Sequence, residues 1–234
     1  MSMPAGGLHE LHQLHLQLER VREALARGPR QITAKQRVIE RKESDVQELR
    51  GKVRQLKISA DEKSLQLKTN EAKILDLKGK LNAAASNREF EIIKSQIDAD
   101  TMANSVLEDE ILEVFEQLDQ LESQIAETEE QREAAVAAAK KVREQVEAET
   151  PGLRGEADRL EQALSSIERT LPESVRVVYH RLVAAHGAGA LASLDGISCG
   201  ACYANLSPNV RVEINLGKFT FCSSCGRLLY KPEA

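Results

Sequence analysis

Four cysteines stand at Cys199, Cys202, Cys222 and Cys225, and the 234-residue chain has no others. They read Cys-x2-Cys-x19-Cys-x2-Cys, a spacing that fits a four-thiolate zinc site. Two residues between thiolates let one tight turn aim both sulfurs at a single ion. Nineteen residues between the pairs allow a short antiparallel excursion that returns the second pair to the same ion. Gly200 lies inside the first turn and Gly226 follows the last cysteine. Both are expected to take the positive-φ backbone that points amide N–H groups at sulfur. One structural Zn²⁺ per chain is therefore expected. Four cysteines complete its tetrahedral shell and leave no position for a substrate. Cysteine pairs also serve as disulfides or redox centres. The N-terminal "MSMPAGGLHELHQLHLQ" lacks an apolar leader core, so a reducing, cytoplasmic setting is expected, which disfavours disulfides. A thioredoxin-like centre needs one CxxC beside a βαβ unit, and no such unit is visible.

Short elements must carry the cysteines. "VRVEI" (Val210–Ile214) and "KFTF" (Lys218–Phe221) alternate like half-buried strands. Asn205–Pro208 and Asn215–Gly217 are turn signals. "ALASLDGIS" (Ala190–Ser198) reads as a strand leading into the first cysteine turn. "PESVRVVYHRLVAAHG" (Pro172–Gly187) reads as a short helix ended by Gly187. The expected ribbon module is 189–234, joined through 171–188.

The rest of the chain is helical in character. Aromatic residues make up 3% and Trp is absent, too few large rings for an ordinary globular core of this length. From Leu11 a 3-4 spacing runs through Leu14, Leu18 and Val21 to Leu81, and sixteen of its 21 positions are apolar. This is a heptad seam in one register, with a kink or short break expected at Gly28-Pro29. "NAAASN" (Asn82–Asn87) interrupts it. Ser86 or Asn87 can cap a new helix with Glu89 in its first turn. A second seam runs from Phe90 through Ile93 and Ile97 to Glu149, Leu153, Glu156, Leu160, Ala163, Ile167 and Thr170, with Pro151-Gly152 inside it.

The two arms carry opposite charge. Leu8–Lys80 has 17 Lys/Arg against 11 Asp/Glu, whereas Asn87–Thr170 has 9 against 22. That contrast and the short connection favour folding back as a hairpin over 8–170 with its tip near 82–87. Each arm would be about 110 Å long. A parallel two-chain coiled coil, broken at the same place, is the alternative. The fold class expected is mostly α: a long antiparallel coiled-coil hairpin, then a small C-terminal β zinc ribbon. No apolar run is long enough to span a membrane.

Other polar groups invite sharper readings. His9, His12 and His15 are spread around the helix by their three-residue steps, no carboxylate cluster joins them, and they read as a solvated helix start. His180 and His186 lie near the ribbon, whose shell four cysteines already complete. Between Lys94 and Arg132 there are 12 acidic residues and no basic one. This reads as a solvated acidic face partly paired with the basic arm, or as a docking surface for a basic partner. The basic stretch Lys35–Lys80 has no aromatic residue for base stacking. In the ribbon, Arg211, Lys218, Arg227 and Lys231 nearly balance Asp195, Glu213 and Glu233. Phe219, Phe221 and Tyr230 are expected in the small ribbon core. No nucleophile–base constellation, phosphate loop or paired carboxylates emerges, so no enzyme and no small-molecule substrate is expected.

Three segments, "NREFEIIKSQI" opening the second helix, "LEDEILEVFEQLDQLE" within it, and the ending "CGAC…CSSCGRLLY", resemble the bacterial proteins that join a long coiled-coil hairpin to a C4-type zinc ribbon. The order of parts matches from about Leu8 to Tyr230. The resemblance puts Cys199, Cys202, Cys222 and Cys225 where that family has its zinc ligands. It implies a non-enzymatic adaptor. Some members bind the alternative, enhancer-dependent sigma factor of RNA polymerase, some serve flagellar or type III secretion systems, and at least one binds messenger RNA. The expectation is an adaptor for protein partners in transcription or secretion. The alternative is an RNA- or DNA-binding regulator using the ribbon and basic helix.

Overall fold

The computed structural model describes residues 6–232. The first five residues, read above for a leader, and Glu233 and Ala234 of the ribbon range lie outside the described residues. Two long helices, α1 (Gly6–Asn82) and α2 (Asn87–Glu168), precede a third, α3 (Glu173–His186). A 3-10 turn (Gly187–Ala190) leads to β1 (Leu191–Asp195), β2 (Ser198–Cys199), α4 (Pro208–Asn215), β3 (Thr220–Phe221) and β4 (Leu228–Tyr230). Among the described residues no helix is long and apolar enough to cross a membrane. The chain forms two compact units: residues up to Thr33 with those from Lys141 onward, and Ala34–Lys140.

In the 34–140 unit, α1 and α2 run antiparallel and close a core at Ala60, Val114 and Leu118, with Val53 and Leu56 against it. Ion pairs join cations of α1 to anions of α2: Arg50–Glu129 at 2.7 Å, Lys57–Glu122 at 3.5 Å, Lys63–Glu110, and Lys73–Asp100 at 2.8 Å. The α2 partner number falls as the α1 number rises, the signature of a hairpin. Arg50–Glu129 and Lys57–Glu122 are exposed and set pairing preference more than stability, whereas Lys63–Glu110 and Lys73–Asp100 are partly covered. At the connection, Ser86 caps α2 by accepting from the Glu89 N–H at 3.2 Å, while the Glu89 carboxylate accepts from the Ala85 N–H at 3.1 Å.

In the other unit, the two helices and the ribbon share one core. Leu8, Leu11, Leu18 and Val21 of α1 pack with Ala157 and Leu164 of α2, Tyr179 of α3, and Leu191, Leu228 and Tyr230 of the sheet. The sheet order is β2-β1-β4-β3, with β1 and β4 parallel and the outer pairings antiparallel. Strand alternation divides its two faces. Leu191, Leu228 and Tyr230 face the helices, whereas Ala192 and Leu229 face a second core with Leu206, Ile214, Cys199 and Cys222.

Five expectations are corrected. "VRVEI" is helix, not strand. Ser207 accepts from the Val210 N–H and Pro208 occupies the first turn, a start signal that outweighs five residues of alternation. The short break expected at Gly28-Pro29 does not occur, since α1 runs unbroken through Pro29. Gly28 makes this close packing possible, because a Cβ there would meet Val146 Cγ1 at 2.8 Å. In α2, which also runs unbroken through Pro151, the seam moves one residue near that proline. Thr150, Ala157, Leu164 and Leu171 turn inward where Glu149, Glu156, Ala163 and Thr170 were expected. Up to Leu171, just past the end of α2, the shifted register turns a threonine and three apolar side chains inward in place of two carboxylates, a half-buried alanine and a threonine, and it keeps Leu153, Leu160 and Ile167. Tyr230 belongs to the core shared with α1, and Phe219 and Phe221 pack against that core too, rather than filling a core private to the ribbon. The three histidines are not a solvated helix start: His9 and His12 are half-buried and His15 is buried. His12 Nδ1 lies 2.7 Å from the Tyr230 hydroxyl and the His9 ring 5.6 Å from the Tyr230 ring. His15 is buried and its Nε2 hydrogen-bonds the Tyr179 hydroxyl, which donates to Glu168 at 2.9 Å. Their three-residue spacing follows the helix stripe that receives the sheet and α3.

Candidate metal centre

Two backbone knuckles of the same design hold the cysteines. In the first, Tyr203 N–H donates to Cys199 O at 2.8 Å and Cys199 N–H to Ala204 O at 3.0 Å. In the second, Gly226 N–H donates to Cys222 O and Cys222 N–H to Arg227 O, both at 2.8 Å. Each knuckle turns through a positive-φ residue after its second cysteine: Tyr203 at 59° and Gly226 at 72°. Gly226 thus does what its position suggested. Gly200 does not. Its reason is steric: a Cβ there would lie 2.6 Å from Ser193 Oγ and 2.8 Å from Ser193 O, while its N–H donates to that carbonyl. The positive-φ place in the first knuckle falls instead to Tyr203, despite the cost of this backbone for a side chain.

The knuckles bring all four sulfurs within 4.8 Å of one another, and no other such group of His, Cys, Asp or Glu occurs among the described residues. His180 and His186 stay outside it. Cys199–Cys225 and Cys202–Cys222 are each separated by 3.8 Å between sulfurs. That is far beyond a disulfide bond of about 2.05 Å. It matches the edge of a tetrahedron whose centre lies about 2.3 Å from each corner, the zinc–thiolate length. The donor set and its spacing therefore fit one Zn²⁺.

Electrostatics favours the thiolate at Cys225 and the thiol at Cys202. Burial pushes the Cys225 thiol up, but the Arg227 N–H and guanidinium, with the neighbouring thiols, outweigh it and bring it down to about 6. At Cys202 the Ala204 N–H pulls the thiol down, but burial and hydrogen bonding to the other three sulfurs push it up to about 12. Neighbouring thiolates repel one another unless a cation lies between them. Arg227 also donates to Gly189 O at 2.6 Å, tying the second knuckle to the turn before β1. Arg227, Ser193 and Tyr203 are the site residues that sequence reading passed over. The adjacency in "CGR" was the available signal for Arg227. For the other two, nothing in the sequence distinguished them.

No family model matches the chain, and no curated protein matches it. Solved structures do. CT398 from Chlamydia trachomatis is similar over 97% of both chains with a TM-score of 0.77 at 15% identity. The HP0958 protein from Helicobacter pylori covers 98% of this chain and 97% of its own, with a TM-score of 0.73 at 16% identity. A protein from Mycobacterium smegmatis matches 99% of this chain and 100% of its own at 17% identity, with a TM-score of 0.54. At these identities the likeness is one of fold alone.

Proposed function

We propose that the chain is a non-enzymatic adaptor, in which a structural zinc ribbon and a long helical hairpin hold protein partners in transcription or secretion. The observation that carries this reading is the closed four-sulfur cluster. Cys199, Cys202, Cys222 and Cys225 would hold the ion, and four thiolates leave it no position for a reacting group, so the metal serves folding. A second support is the acidic stretch of α2. Asp100, Glu110, Glu122 and Glu129 pair with α1, but Glu108, Asp109, Glu113, Glu116 and Asp119 make no ion pair among the described residues and offer unpartnered charge to a ligand. The nucleic-acid alternative is less well supported, because Phe219, Phe221 and Tyr230 turn toward the α1 core rather than forming a stacking surface.

The test is a pull-down from native cells with the full, zinc-loaded chain, with and without nuclease, over a salt series. We expect nuclease-resistant protein partners. One class should be lost on reversing Glu113 and Glu116 to lysine, and another on removing zinc. Recovery of nuclease-sensitive material alone, or partners indifferent to both changes, would overturn the adaptor reading.

A further inference from the structure

α2 carries a second apolar seam that it does not turn toward α1. Ile92, Ser95, Ala99, Met102 and Val106 recur at steps of three, four, three and four, so they share one helix face. All five are exposed, with Met102 at 74% and Ile92 at 60%. The inward seam is separate: it uses Ile93, Ile97, Asn104 and Leu107, which are partly or fully buried. Outward positions of a two-helix hairpin need only be polar, and three large apolar side chains at heptad spacing are not required by this fold. The face ends where the next positions in the series become Asp109 and Glu113. It covers about 21 Å, four helical turns. Anchors at that spacing are how one amphipathic helix receives another. The small Ser95 and Ala99 leave room between Ile92 and Met102 for a partner's larger side chains.

The charge beside this face selects the occupant. Glu91, Asp98, Asp109 and Glu113 border it and make no ion pair among the described residues. Arg88 stands at the start of the same series, and beyond it Lys94 is the only cation as far as Gln131, so acidic residues dominate the border. Antiparallel pairing of this face with its own copy would set Asp98 close to Asp98, which like-charge repulsion opposes. We propose that this face docks an amphipathic helix of a partner protein, with apolar residues at heptad spacing flanked by lysine or arginine. The proposal rests on the adaptor reading and gives the partner its chemistry.

The probe is a synthetic helical peptide of about 20 residues with a leucine seam and lysine flanks. Its controls are a glutamate-flanked version and a scrambled peptide of the same charge. Binding to the full, zinc-loaded chain is read by fluorescence anisotropy at about 0.15 M salt, where exposed charges more than about 8 Å apart are largely screened. The lysine peptide should bind at least about ten-fold tighter than either control. Met102→Ser with Val106→Ser should weaken it by about ten-fold or more, and Asp98→Lys should weaken it too, with helical circular dichroism unchanged. Equal binding of the scrambled peptide, or indifference to the serine variants, would overturn the proposal. So would sedimentation showing a dimer that Met102→Glu converts to monomer, since the occupant would then be a second copy. If the peptide fails while cellular partners still respond to reversal of Glu113 and Glu116, this face is wrong and the adaptor reading stands.

Discussion

Leu11 is fully buried in the core that α1 shares with Leu191, Leu228 and Tyr230 of the sheet. The opposite face of the same sheet packs on the cysteine knuckles through Ala192 and Leu229. Truncating Leu11 should therefore reach a metal site whose ligands lie almost two hundred residues along the chain. Leu→Ala at a fully buried position costs about 2–5 kcal/mol. Without metal, a ribbon of this size has little core and is expected to unfold, so folding energy and metal-binding energy are linked. Once the sheet leaves, Leu11 is exposed whether or not it is truncated. Nearly all of the cost then falls on the zinc-bound state, and at about 1.4 kcal/mol per ten-fold zinc affinity should fall by at least about 30-fold. Competition against a chromophoric chelator measures this directly. Val114→Ala, in the core of the 34–140 unit, should leave zinc affinity unchanged although it destabilises its own helices. An unchanged affinity in Leu11→Ala, with the protein folded, would show that the ribbon folds without help from α1 and would refute the reasoning.

Gly200→Ala should destabilise the zinc-bound ribbon by roughly 1–3 kcal/mol, because the new Cβ would meet the Ser193 carbonyl at 2.8 Å. A thermal melt of the zinc-loaded protein would show it, and an unchanged melt would contradict the close approach. His15 should make stability depend on pH. Burial lowers its pKa and Arg22 adds to this, against Glu168 and Glu19. The unfolded chain then binds the proton more readily than the folded one, so stability is fullest above about pH 6.5 and falls as pH drops toward the lowered folded value. His15→Gln should lose less melting temperature than the parent between about pH 7.5 and 5.5, and equal losses would remove His15 as the cause.

Much of the design was legible in the residues alone. The Cys-x2-Cys-x19-Cys-x2-Cys spacing states a four-thiolate site because the ligand chemistry is local to each CxxC turn. The 3-4 recurrence from Leu11 to Leu81 states a helix with one buried side because helix periodicity is set by the backbone. Ser86 with Glu89 marks the start of α2, and the opposite charges of the arms anticipate the pairs between Lys63 and Glu110 and between Lys73 and Asp100.

What tertiary structure decided lies where two local readings compete or where a partner comes from far along the chain. Val210–Ile214 fits strand and helix alike over five residues, and packing of Ile214 against Leu206 and the cysteines accompanies the helical outcome. Past Pro151 both heptad registers keep Leu153, Leu160 and Ile167, and the available helix and sheet surfaces receive Ala157, Leu164 and Leu171. His12 and His15 look like solvent-facing polar residues until Tyr230 and Tyr179 arrive from 218 and 164 residues away. Gly200 carries a steric demand imposed by Ser193 across a strand pairing. No local rule contains these contacts, because each depends on which surfaces meet once the chain has folded.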